Sequence, residues 1–103
     1  MTTPTPAPAD SPSPERSAAL RIVVAEDEAL IRMDLVEMLA EAGYDVVGQA
    51  GDGEAAVEVV RESRPDLVLM DVKMPVLDGI SAAAIIGKES LAPVVMLTAF
   101  SQK

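Results

Sequence analysis

Apolar positions along this chain alternate between two kinds of run. Short uninterrupted stretches, rich in β-branched residues, are separated by longer stretches in which apolar residues recur with helical spacing. Leu20-Arg21-Ile22-Val23-Val24-Ala25 is the first short run and predicts a strand. Ile31, Leu35, Met38, Leu39 and Ala42 then fall at i, i+4, i+7, i+8 and i+11, one apolar stripe of a helix. Arg32, Asp34, Glu37 and Glu41 take the other face, and Gly43 follows as a left-handed C-terminal cap. Asp45-Val46-Val47-Gly48-Gln49-Ala50 predicts a shorter, more polar strand suited to a sheet edge. After the turn at Gly51-Asp52-Gly53, Asp52 can cap a helix over Glu54 to Ser63 that buries Ala56, Val57 and Val60. Pro65 blocks its continuation by disfavouring the α conformation at Arg64.

The strand that follows, Asp66 to Met70, is apolar throughout Leu67-Val68-Leu69-Met70, as a strand buried on both faces would be. It delivers one carboxylate, Asp71, at its end. A loop through Met74 and Pro75 leads to Asp78-Gly79, where Asp78 can cap a helix from Ile80 to about Lys88. Pro93 precedes a fourth strand, Val94-Val95-Met96-Leu97, ending in Thr98-Ala99, and Ser101 marks the start of another helix. The alternation β-α-β-α-β-α-β calls for an α/β fold: a doubly wound parallel sheet with right-handed crossovers. Ahead of it, Met1 to about Ala19 is Thr, Ser, Pro and Ala, with too little apolar surface to offset its ordering entropy. The expected organisation is therefore a disordered tail over 1–19 and one domain over 20–103.

Composition narrows the chemistry. The 103 residues contain no Cys and no His, which excludes disulfides, thiolate metal sites, the usual zinc sites and a His base or phosphoryl acceptor. Carboxylates, hydroxyls, Lys/Arg or a bound metal must carry any reaction. A net charge of −9 argues against nucleic-acid binding by this segment. With Tyr44 and Phe100 as its only aromatics, the core must be aliphatic. No apolar stretch is long enough to span a bilayer, and the N-terminus lacks a signal-peptide pattern, so the expected compartment is the cytoplasm.

In a parallel sheet all strands present their carboxyl ends on one edge. Glu26 and Asp27 follow strand one, Asp71 ends strand three and Thr98 ends strand four. An order 2-1-3-4 puts the topological switch between strands one and three, the usual ligand crevice. Three carboxylates crowded there resist ionising together unless a cation is bound. Oxygen-only ligands suit a hard ion, and Mg²⁺ typically takes one or two carboxylates plus waters and phosphate oxygens. The expected site is a Mg²⁺-assisted phosphoryl site built on Asp27 and Asp71. Glu28 is better read as a helix-start carboxylate and Asp78 as a cap.

Glu26-Asp27 after strand one, Asp71-Val72-Lys73-Met74-Pro75-Val76-Leu77-Asp78-Gly79, and Leu97-Thr98-Ala99 closing strand four together resemble the receiver domain of bacterial two-component response regulators. The order 2-1-3-4 is also that of this family, so it rests on the resemblance as much as on the alternation. The resemblance implies that Asp71 is the phosphoacceptor, attacking a phosphohistidine on a sensor histidine kinase, rather than part of a turnover enzyme. It implies Mg²⁺ held by Asp27, Asp71 and the backbone carbonyl of Lys73, with Glu26 acting through water. Thr98 would contact the phosphoryl group and couple it to a conformational switch. Met74, Pro75 and Gly79 would shape the loop. The runs Glu26-Asp27-Glu28-Ala29-Leu30-Ile31-Arg32 and Leu97-Thr98-Ala99-Phe100-Ser101-Gln102 look most like receivers joined to an RNA-binding antiterminator (ANTAR) output domain.

The sequence also departs from the family pattern. A fourth helix, a fifth strand ending in Lys, an aromatic switch residue and a fifth helix are expected after strand four. Lys103 lies too close to Thr98 to be that Lys. The expectation is a receiver incomplete at its C-terminus, a piece of a longer regulator. Two alternatives stay open. One is an inactive, protein-binding module. The other is a Mg²⁺-dependent hydrolase of the haloacid-dehalogenase type, disfavoured because Lys73 stands where its second Asp would be.

Overall fold

The computed structural model describes residues 19–97. Its elements are β1 (Arg21–Ala25), α1 (Ala29–Glu41), β2 (Asp45–Ala50), α2 (Gly53–Ser63), β3 (Leu67–Asp71), α3 (Gly79–Lys88) and β4 (Val94–Leu97). The strands form one parallel sheet in the order β2-β1-β3-β4. β1 and β3 are the interior pair, with Val23 opposite Val68 and Ala25 opposite Met70. A one-residue irregularity between Ile22 and Val23 shifts the register against β2. The anticipated tail up to residue 18, Thr98 and the anticipated helix at Ser101 lie outside the described residues.

One face of the sheet carries the main core. Val23, Ala25, Val68 and Met70 pack there against Ala56, Val57 and Val60 of α2 and Ala82 and Ile86 of α3. On the other face Ile22 and Val24 of β1 are fully buried beside α1. That second layer is narrower. Leu67 and Leu69 are only half-buried, and Val95 of β4 is 45% exposed. β3 was expected to be buried on both faces; it is fully buried on one, through Val68 and Met70, and only half-buried on the other.

Local signals set the helix ends. Gly43 adopts φ +97, its N–H donates to the Ala40 carbonyl, and Tyr44 N–H donates to that of Leu39, a Schellman ending. The Asp52 carboxylate accepts from Ala55 N–H at 2.8 Å, and Asp78 accepts from Ser81 N–H at 2.8 Å. Arg64, before Pro65, escapes the α region by turning left-handed (φ 48) rather than extended. The predicted stripe of α1 is covered less than its spacing implies. Ile31, Leu35 and Leu39 are half-buried, whereas Met38 and Ala42 are exposed and no α1 residue is fully buried. The helix lies chiefly across β1 and β2, and part of its apolar surface is left exposed. Among the described residues no helix is long and apolar enough to cross a membrane.

Candidate functional site

The crevice forms where β1 and β3 run side by side and their following connections leave toward opposite faces. Glu26 is the first residue after β1 and Asp71 the last of β3, so the parallel pairing alone brings them together. One carboxylate oxygen from each of Glu26, Asp27 and Asp71 lies within 4.8 Å of the others. Asp27 is exposed, Asp71 is half-buried, and Glu26 is 2% exposed. The three thus form a graded pocket from solvent into the sheet.

Glu26 carries the electrostatic cost of this arrangement. Burial pushes its carboxyl up to about 7. A hydrogen bond from Glu28 N–H to Oε2, at 3.0 Å, acts in the opposite direction, and the charges of Asp71 and Asp27 add to the rise. Among the described residues the only ion pair is Arg61–Glu89, at the far ends of α2 and α3, so no cationic side chain is paired with a carboxylate of the pocket. The donor set, three carboxylates and no nitrogen or sulfur, fits a hard divalent cation of the Mg²⁺ type.

The β3–α3 connection closes the pocket from below. Met74 turns into the core, while Lys73 and Pro75 stay exposed. Val76 adopts φ 68 and is 75% exposed, and Leu77 N–H donates to the Pro75 carbonyl at 2.7 Å, a γ-turn centred on a β-branched residue. Gly79 N–H donates to Val72 O at 2.9 Å. A Cβ on Gly79 would sit 2.0 Å from the Asp71 carbonyl oxygen, so only glycine allows the loop to fold back this tightly. Gly53 meets the same constraint against the Leu77 carbonyl, at 1.8 Å. Asp78 is a cap, as expected; the Ser81 N–H holds its carboxyl below the usual range. An open groove of about 740 Å³ runs from Asp27 past Lys73 and Pro75 to Ile80 and Ser81.

Of the anticipated site residues, Glu26, Asp27 and Asp71 are brought together, and Lys73, Met74, Pro75 and Gly79 form the adjoining loop. Thr98 lies outside the described residues; Leu97, just before it, pairs with Asp71. Arg32 was missed. Its helical position placed it on the solvent face, yet it is half-buried and its guanidinium Nη1 donates to the Glu26 carbonyl at 2.5 Å. The available signal was its place in the first turn of α1, because long helical side chains lean toward the helix N-terminus.

A doubly wound parallel sheet with a carboxylate cluster at its switch point is the architecture of a phosphorelay receiver. The Response regulator receiver domain family model matches residues 22–103. The chain belongs to that family, which operates in two-component signalling. It is 58% identical over 94 residues to the transcriptional regulatory protein PdtaR of Mycobacterium tuberculosis, covering 89% of this chain and 46% of PdtaR. It is 49% identical to a protein-glutamate methylesterase/protein-glutamine glutaminase of Haloarcula marismortui, covering 82% of this chain and 23% of that one. Among solved structures, the signal receiver domain of the response regulator NarL from Mycobacterium tuberculosis superposes with a TM-score of 0.77 at 34% identity, covering 82% of this chain and 70% of that one. The response regulator domain of Thermotoga maritima CheB gives 0.76 at 36% identity, covering 82% and 64%. The chain spans less than half the length of these two curated relatives.

Proposed function

We propose that this chain is a cytoplasmic phosphoaccepting module that receives a phosphoryl group on Asp71 from a phosphohistidine of a sensor histidine kinase. The observation that carries the reading is the convergence of the Asp71, Asp27 and Glu26 carboxylates within 4.8 Å at the β1–β3 switch. An Asp71 oxygen attacks phosphorus in line, the P–N bond breaks, and the imidazole leaves with its electron pair and takes up a proton. The product is an acyl phosphate on Asp71. Mg²⁺, when bound, neutralises charge on the transferring oxygens. Asp27 and the Lys73 carbonyl would hold the ion beside Asp71, with Glu26 reached through water. The chain's own contribution is positioning: Gly79 lets the loop fold back on Asp71, and the buried Glu26 keeps the inner wall of the pocket acidic.

Thr98 serves as the hydroxyl that contacts the transferred group and moves with it, biasing a surface read by an output domain. The run from Glu26 to Arg32 supports an RNA-binding antitermination output of the ANTAR type. The test is incubation with Mg²⁺ and acetyl phosphate or phosphoramidate, followed by intact mass. A phosphoryl adduct absent from Asp71→Asn supports the reading. A folded wild-type chain that gains no adduct overturns it for this chain.

A further inference from the structure

We infer that Arg32 is a positioning residue for the acidic pocket: by clasping the Glu26 carbonyl it fixes the β1–α1 turn on which Glu26 and Asp27 stand, and so sets the affinity for the divalent cation. This rests on the metal-assisted reading above and adds a residue to it. The turn is short and strongly charged, Glu26-Asp27-Glu28, and left alone would splay to separate its carboxylates. Three hydrogen bonds prevent this. Glu26 N–H donates to the Ala50 carbonyl at 3.0 Å, Glu28 N–H donates to the Glu26 carboxylate at 3.0 Å, and Arg32 Nη1 donates to the Glu26 carbonyl at 2.5 Å.

Arg32 alone among these ties the turn to the body of α1, whose first turn it shares through the bond from its own N–H to the Glu28 carbonyl at 2.9 Å. Gly51 lies beside it: a Cβ there would be in van der Waals contact with Nη1, at 3.4 Å. The guanidinium therefore sits between the β1–α1 turn and the β2–α2 turn. Its target is a carbonyl rather than a carboxylate, so it orders the pocket without occupying the anionic oxygens that a cation needs.

This role makes a prediction opposite in sign to simple charge repulsion. Removing a cation near the pocket would by repulsion alone tighten Mg²⁺ binding, whereas loss of the clasp loosens it. The experiment is a Mg²⁺ titration of the 103-residue chain, wild type, Arg32→Gln and Arg32→Lys, followed by the amide shifts of Asp27 and Glu28 well below each melting temperature. Binding about tenfold weaker in Arg32→Gln is expected. Arg32→Lys keeps the charge but not the planar fork, and should fall between; it carries the test if the Gln variant does not fold. In metal-free protein the Glu28 amide should also exchange faster in both variants, while amides of β3 do not change. Equal or tighter Mg²⁺ binding in the variants overturns the role of Arg32 and leaves the acidic pocket standing. A wild-type chain with no Mg²⁺ response at Asp27 overturns both.

Discussion

Replacing Glu26 with Gln keeps the shape and the acceptor for Glu28 N–H while removing the charge that the pocket tolerates least. In the folded protein the Glu26 carboxyl is raised from 4.5 to about 7, chiefly by burial. Between those values the folded state holds a proton that the unfolded chain has released. Stability from this group is therefore fully present below about pH 4.5 and is lost as pH rises through about 7. At about 1.4 kcal/mol per pH unit, the gap amounts to about 3 kcal/mol, a large share of what a domain of this size possesses. Urea unfolding of the metal-free protein measures it directly. At about pH 4, below both values, wild type and Glu26→Gln should have nearly equal stabilities. At about pH 8, above both, the Gln variant should be the more stable by about 3 kcal/mol. Taking the difference between the two proteins cancels the titration of every other carboxylate to first order. Saturating Mg²⁺ should shrink the gap by compensating the wild-type charge. Parallel stability curves across this range would show that Glu26 ionises freely, and the account of the pocket as electrostatically loaded would be wrong.

Mg²⁺ should raise the melting temperature of the wild-type chain, and Asp27→Ala should abolish most of that rise; an equal rise in the variant would remove Asp27 from the ligand set. Gly53→Ala should destabilise by about 2–3 kcal/mol in denaturant unfolding, because the new methyl meets the backbone carbonyl of Leu77 rather than a yielding side chain. Val76→Gly should do the reverse. Relief of about 1–2 kcal/mol of left-handed strain at an exposed position outweighs the added freedom of the unfolded chain, for a net gain of about 0.5–1 kcal/mol. A lower urea midpoint in that variant would refute the strain.

The parallel sheet was legible because alternation depends on sequence spacing alone, whereas the strand order, and with it the meeting of Asp27 with Asp71, rested also on the resemblance to the receiver family. Asp52 and Asp78 were legible as caps for a similar reason: each acts within a few residues of itself. Burial was harder to read. The apolar stripe of α1 gave no warning that Met38 would face solvent, because coverage depends on which elements lie opposite, and periodicity records only the helix's own faces. The half-buried Leu69 shows the same limit, since an all-apolar run states what a strand could bury rather than what arrives to cover it. Arg32 escaped because its partner is a backbone carbonyl, which carries no residue identity for a motif to register.

The two glycine contacts have a mechanical consequence. With Gly79 seated against the Asp71 carbonyl and Gly53 against that of Leu77, the strand end, the γ-turn and the starts of α2 and α3 are assembled without clearance. A joint without play cannot absorb a displacement where it arises. Any shift of the Asp71 backbone must be handed to the first turn of α3, and any shift of Leu77 to the first turn of α2. The loop around the acidic pocket thus has the build of a short lever train, through which a displacement would reach the first turns of α2 and α3.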